Sequence, residues 1–135
     1  MAHRFVEDIP NDCWMSICHG DAWIGNAVFR NEEAILIDFE HQHFGPTSYD
    51  VATYVWHCLE PENEVKRASL RAFIDEYKRQ SGIPFSEAEL KCQILKKELN
   101  NLAFLDKFHY FDQNVANDII ARAIQTLDWV QQESI

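Results

Sequence analysis

The feature that most constrains this chain is the range 18–39, which places three oxygen-bearing side chains around two apolar runs. Asp21 and Asn26 lie five residues apart in a loop, and Asp38 ends the apolar run 34–37. A hairpin that joins the two runs would bring Asp38 back beside Asn26. Two carboxylates and one amide oxygen would then lie close together at one end of the hairpin. Such hard oxygen ligands suit Mg²⁺, which keeps water or substrate phosphates in its other positions.

The residues around these side chains form a specific pattern, which reads His-Gly-Asp, four residues, Asn, and then an apolar strand that ends in Ile-Asp-Phe. This pattern resembles the aminoglycoside phosphotransferase and choline kinase superfamily, whose members are small-molecule relatives of protein kinases. A second segment, Tyr49-Asp50-Val51-Ala52, is similar to the family's Tyr-Asp-apolar-Ala signature at the start of a helix. The close match covers residues 17–56.

The resemblance implies an ATP- and Mg²⁺-dependent phosphotransferase that acts on the hydroxyl of a small molecule. By that resemblance Asp21 is the catalytic residue, which takes or orients the hydroxyl proton, and Asn26 and Asp38 bind Mg²⁺ on the nucleotide phosphates. Phosphoryl transfer depends on positioning and charge neutralisation more than on covalent chemistry, and such a set supplies both. The acceptor stays open among aminoglycosides, choline, ethanolamine, sugars and homoserine-like compounds.

Three further residues are expected to support the site. His19 has the titration range of a base at neutral pH, whereas the resemblance implies that its ring packs under the loop. Asp50 suits the first turn of a helix, where the dipole favours an acid. In kinase-like folds the matching Asp also holds the backbone of the catalytic loop. Glu40 is read either as a supporting ligand near the metal or as a solvated loop acid.

The chain shows none of the parts with which kinases of this superfamily clamp ATP. Only twenty residues precede Asp21, they contain no glycine-rich loop, and no lysine occurs before Lys66. Those parts belong to an N-terminal lobe. We therefore expect residues 1–135 to form a single domain, the C-terminal lobe of a truncated phosphotransferase. The alternative is a non-catalytic binding module, which self-associates or binds an N-lobe partner through an exposed inter-lobe face.

Hydrophobic periodicity predicts an α+β fold, mostly helical and with a small β-hairpin. The resemblance implies that this fold is a kinase-like C-lobe whose hairpin carries the catalytic loop. The hairpin is expected to pair residues 26–30 with 34–38 around a turn at 31–33, and residues 41–47 are expected to form a loop. Helices are predicted at about 48–58, 62–80, 86–111 and 114–132. The residues expected to be buried in the last three helices are Val65, Leu70, Phe73, Ile74, Tyr77, Leu90, Ile94, Leu95, Leu102, Leu105, Phe108, Val115, Ile119, Ala123, Ile124, Leu127 and Val130.

Composition narrows the partners and the compartment. With 12 basic against 22 acidic residues the net charge is −10, which argues against nucleic acid or an anionic membrane and would attract a cationic acceptor. Four cysteines without C-x-x-C spacing are typical of free thiols in a reducing cytosol. No apolar run approaches the roughly 20 residues of a membrane span, and no signal peptide is recognisable, so we expect a cytoplasmic protein.

Overall fold

The computed structural model describes residues 13–60, 63–107 and 112–132, with only the backbone at 105–107. Short strands come first: β1 (Met15–Cys18), β2 (Ala27–Arg30), β3 (Glu33–Leu36) and β4 (His43–Pro46). Helices follow: α1 (Ser48–Cys58), α2 (Glu64–Ser81), α3 (Glu87–Lys107) and α4 (Gln113–Gln132). The predicted α+β class with a mostly helical body is confirmed.

The strands form two separate antiparallel pairs. β1 pairs with β4, from Met15 opposite Pro46 to Cys18 opposite His43. The prediction of a loop at 41–47 is therefore wrong for residues 43–46, which form this strand. The segment His-Phe-Gly-Pro has no alternating apolar pattern, and only the neighbouring β1 gives its backbone groups partners.

The second pair is the hairpin of β2 and β3, which runs from Ala27 opposite Leu36 to Arg30 opposite Glu33. Its turn has two central residues, Asn31 and Glu32, with φ angles of 49° and 68°. Positive φ at both positions is the type I′ geometry, whose twist matches that of paired strands. The predicted turn at 31–33 is therefore one residue too long, because the residue at 33 already belongs to β3.

The helix ends follow local capping chemistry. The predicted bounds of α1 are confirmed, although its N-cap residue Thr47 directs its hydroxyl to the carbonyl of Trp14 instead of capping the helix. The Asn63 side chain accepts from the amide of Lys66 at the start of α2, and Gly82 ends that helix at a φ of 64°. The Oγ of Ser86 accepts from an amide in the first turn of α3. The predicted end of this helix near residue 111 lies outside the described residues.

The hydrophobic core lies between the helices. Its members from α1 to α4 include Val51, Val55, Leu70, Ile74, Leu90, Ile94, Trp129 and Val130. Burial is confirmed for the predicted positions Leu70, Ile74, Leu90, Ile94, Ala123 and Val130. The side chains of Leu105 and Phe108, which were also predicted to be buried, lie outside the described part.

Three predicted core positions are wrong. Val65 is 76% exposed, and Val115 and Ile124 are also exposed. Val65 lies in the first turn of α2, beyond the core. In α4 the buried side chains are Ala123, Thr126, Trp129 and Val130. The face that α4 buries therefore differs from the predicted face, which included Ile124. Thr126 and Trp129 carry polar atoms, and apolar spacing alone therefore misjudged the buried face.

Candidate active site

The catalytic-loop motif begins where β1 ends, and its backbone turns sharply at Gly20. The φ angle of Gly20 is 90°, a region that L side chains rarely adopt. A Cβ atom at this position would overlap the main-chain carbonyl of His41. Glycine is therefore required here both by conformation and by the closeness of the neighbouring chain.

Asp50, in the first turn of α1, holds the backbone on either side of this turn. Its two carboxylate oxygens accept from the amides of His19 at 2.7 Å and Gly20 at 2.9 Å. Both roles that the sequence suggested for Asp50 are thus present in the geometry, since it is also the acid of the first helical turn.

The buried ring of His19 connects the loop to the segment that follows β3. Its Nε2 lies 2.8 Å from the carbonyl oxygen of Ile37, and its Nδ1 lies 3.3 Å from the amide nitrogen of Asp21. The ring also packs on Phe39, with 4.4 Å between centroids. A neutral ring with the proton on Nε2 satisfies both hydrogen bonds. Both nitrogens are therefore engaged in holding the loop.

Asp21 and Asn26 are joined directly. The amide nitrogen of the Asn26 side chain donates to the Asp21 carboxylate at 2.7 Å and to the Asp21 main-chain carbonyl at 2.9 Å. Because the nitrogen makes both contacts, the amide oxygen is the atom through which Asn26 would bind a metal.

Asp38 follows a backbone hydrogen bond that ties the end of the hairpin to Asn26. The amide of Ile37 donates to the Asn26 carbonyl at 2.9 Å, so the next residue emerges at the same end of the hairpin as the loop. Asp38 is exposed and has a φ of 65°, a left-handed conformation that costs a residue with a Cβ about 1–2 kcal/mol. Such strain is concentrated at functional sites.

The donor set around Asp21 fits Mg²⁺ bound largely through a substrate. Among the described residues no three His, Cys, Asp or Glu side chains are close enough to hold a metal by themselves. Mg²⁺ that is bound to nucleotide phosphates takes only a few ligands from a protein. A carboxylate oxygen and an amide oxygen from two residues are ligands of this kind. The Glu40 carboxylate is exposed and lies 3.4 Å from Nε2 of the exposed His41.

Sequence reasoning missed His57, near the end of α1. Its Nε2 lies 3.6 Å from a carboxylate oxygen of Asp21, beyond hydrogen-bond range but within range of an ion pair. The ring stacks on Trp23 at 4.5 Å between centroids. Burial lowers the pKa of His57, and the positive charges of Lys97 and Arg122 act in the same direction, while Asp21 opposes them. Burial thus outweighs the attraction of Asp21, and the pKa of His57 lies below its ordinary value.

Lys97, from α3, was also missed. Its ammonium donates to the Gly20 carbonyl at 3.2 Å and lies 4.7 Å from the centroid of the Tyr49 ring. Burial lowers the pKa of Lys97, and the negative charges of Asp21 and Asp50 oppose that shift. No local pattern in α3 distinguishes this lysine from its neighbours, because only the packing of α3 brings it to the loop.

Two cavities adjoin these residues. One of about 850 Å³ is lined by His57, Glu60, Asn63, Glu64 and Arg122, among others, and His57 itself lies beside Asp21. The other, of about 440 Å³, is an apolar groove between the hairpin and the helices α1 and α2.

Comparison with known proteins adds a family to this geometry. The model of the ecdysteroid kinase-like family matches residues 2–81. "Ethanolamine kinase 1" of Homo sapiens is 24% identical over 136 aligned positions, which cover 79% of this chain and 30% of that protein. The Mus musculus protein of the same name is 21% identical, with coverage of 79% and 38%. The chain therefore spans about a third of the length of these curated relatives.

No solved structure matches the chain significantly. None of the helices in the described ranges has the length and apolar character needed to cross a bilayer. The predicted resemblance to choline kinase-like kinases is confirmed by the family model and by the relatives. Since the matched region covers more than half of the sequence, the chain belongs to the ecdysteroid kinase-like family.

Proposed function

We propose that this chain carries the catalytic loop of an ATP- and Mg²⁺-dependent phosphotransferase that acts on a small-molecule hydroxyl. One observation carries the proposal: the Asn26 side chain binds Asp21 while its main-chain carbonyl accepts from the residue before Asp38. In this proposal a general base and two metal-binding oxygens lie at one end of the hairpin. Membership of a kinase-like family supports the same reaction class.

In this proposal Asn26, through its amide oxygen, and Asp38, through its carboxylate, hold Mg²⁺ on the phosphates of ATP. The metal neutralises charge on the phosphates during transfer. Asp38 is exposed and follows the last paired residue of the hairpin, Leu36.

Asp21 acts on the acceptor. The acceptor oxygen attacks the γ-phosphorus, the bond from that phosphorus to the β,γ-bridging oxygen breaks, and ADP leaves. The hydroxyl proton passes to the Asp21 carboxylate, which Asn26 holds in place through one oxygen. His57 faces the other oxygen of that carboxylate and forms part of the wall of the 850 Å³ cavity, where we place the acceptor.

The acceptor we favour is a small hydroxyl compound that carries a positive charge. The net charge of −10 favours such a ligand, and Glu60 and Glu64 line the cavity beside His57. The relatives named ethanolamine kinase support the same class. The proposal includes the expectations from the sequence that the protein is cytoplasmic and binds no nucleic acid.

Isothermal calorimetry of the 135-residue chain with a non-hydrolysable ATP analogue tests the nucleotide site. We expect binding that requires Mg²⁺ and that weakens at least about tenfold in Asp38→Asn, because a charged metal ligand is lost. Asparagine tolerates the left-handed backbone, so this variant keeps the fold. Glu33→Gln removes an equal charge from the exposed hairpin and should bind normally. Equal binding by wild type and Asp38→Asn would refute the metal assignment.

A second candidate function is a binding module that needs a partner to supply an N-terminal lobe. The exposed apolar side chains on the strands favour it. Ile17 and Phe44 are both 70% exposed on the β1–β4 pair, and Phe29 and Ile35 are exposed on the hairpin. Light scattering over a concentration series tests for self-association. Association that Ile17→Lys abolishes, in a chain that binds no nucleotide, would favour the module. A monomer with measurable ATP turnover would exclude it.

A further inference from the structure

Lys97 reaches the catalytic loop from a helix that the family pattern does not include. Lys97 lies 77 positions along the chain from Gly20, and its ammonium donates a hydrogen bond to the Gly20 carbonyl at 3.2 Å. The ammonium also lies over the ring of Tyr49, the residue before Asp50. Lys97 is therefore surrounded by the loop and by the helix start that supports it.

The contacts of Lys97 and Asp50 complement each other across Gly20. Asp50 accepts from the amides of His19 and Gly20, and Lys97 donates to the Gly20 carbonyl. The peptide groups on both sides of Gly20 are thus held by charged side chains. Hydrogen bonds to charged groups are roughly twice as strong as neutral ones. The second of these peptides leads directly into Asp21.

We propose that Lys97 is a positioning residue, which fixes the Gly20–Asp21 peptide so that the Asp21 carboxylate keeps its place between Asn26 and His57. The charge balance supports this role. The positive charge of Lys97 faces the carboxylates of Asp21 and Asp50, and also lowers the proton affinity of His57 together with Arg122. Lys97 would thus hold the loop, and its charge adds to the burial that lowers the pKa of the neighbouring imidazole. The catalytic consequence of this role rests on the proposed function.

Two measurements on the 135-residue chain need no substrate. The first is hydrogen exchange of the Gly20 and Asp21 amides by NMR in Lys97→Met, with Lys96→Met as the matched control because Lys96 is the exposed neighbour on the same helix. We expect exchange at these two amides to become at least about tenfold faster in Lys97→Met, since local opening loses a charge-assisted hydrogen bond. Core amides of α1 and α3 should change little, and Lys96→Met should match wild type.

The second measurement is an NMR titration of the His57 imidazole. Its pKa should rise in Lys97→Met and stay low in Lys97→Arg, because arginine retains the charge. Lys97→Arg should also recover part of the exchange protection, and it remains informative if the methionine variant does not fold. Unchanged exchange at Gly20 and Asp21 in Lys97→Met would overturn the proposal, as would an equal effect of Lys96→Met.

Nucleotide calorimetry separates this inference from the proposed function. Loss of loop protection in Lys97→Met, without nucleotide binding by wild type, would support the role of Lys97 and refute the nucleotide site. If acceptor phosphorylation is observed, Lys97→Met should lower kcat at least about tenfold with little change in the KM for ATP. A change confined to KM would contradict a positioning role at Asp21.

Discussion

The strand region, residues 13–46, and the helical body, residues 48–132, are built on different physical principles. In the helical body large apolar side chains such as Val55 and Ile94 are completely buried. In the strand region every residue from 31 to 40 is exposed, as are Ile17 and Phe44. Hydrophobic burial therefore stabilises the body, whereas the strand region depends on backbone ladders and on polar contacts.

This difference shows where the order of the candidate site comes from. The motif residues lie in the strand region, but three residues of the helical body contact them: Asp50, His57 and Lys97. The loop that carries Asp21 is thus held from outside its own segment. These polar contacts join the loop to helices α1 and α3.

The sharpest test of this comparison removes apolar volume from each region. Ile94→Ala should lower the free energy of unfolding by about 2–5 kcal/mol, because it leaves a cavity in a packed core. Phe29→Ala should cost less than about 1 kcal/mol, since Phe29 is 63% exposed. Urea denaturation measures both. Comparable losses would mean that the hairpin is buried in solution, for example against another copy.

A second pair of variants compares glycines with positive φ in the two regions. Gly20→Ala should cost more than about 2 kcal/mol, because the left-handed strain is added to an overlap with the His41 carbonyl. Gly82→Ala, at the end of α2, meets no atom within 4 Å and should cost only about 1 kcal/mol. Thermal unfolding gives the two values. A smaller loss of stability for the variant at Gly20 than for the variant at Gly82 would show that the loop can change its conformation without destabilising the helical body.

The smallest expected effect is the pH dependence that His57 contributes. Its pKa is lowered in the folded state, so the unfolded chain binds more protons below the ordinary value of 6.5. Stability should therefore rise with pH towards 6.5 and level off above it. In His57→Gln this part of the rise should disappear. Urea midpoints at several pH values between about 5 and 7.5 measure the difference, and parallel curves for the two proteins would contradict a lowered pKa of His57 in the folded state.

Much of the fold was predictable because its signals are local. The predicted bounds of α1 were right although Thr47 does not cap the helix, and Gly82 marked the end of α2. Strand β4 was missed because the sequence of residues 43–46 has no alternation, and its partners in β1 lie 25 to 31 positions away in the chain. The buried face of α4 was misjudged because Thr126 and Trp129 lie on it while Ile124 is exposed.

The sequence by itself determined the identities and the spacing of Asp21, Asn26 and Asp38, and that spacing predicted that a loop and a hairpin bring them together. The requirement for glycine at position 20 follows from the tertiary structure, because the backbone there has a φ of 90° and passes close to the carbonyl of His41. Only the tertiary structure decided that His57 and Lys97 face the same loop. Their helices pack through apolar side chains, and the sequence pattern of a helix specifies which face is buried but not which distant backbone group its charged residues will meet.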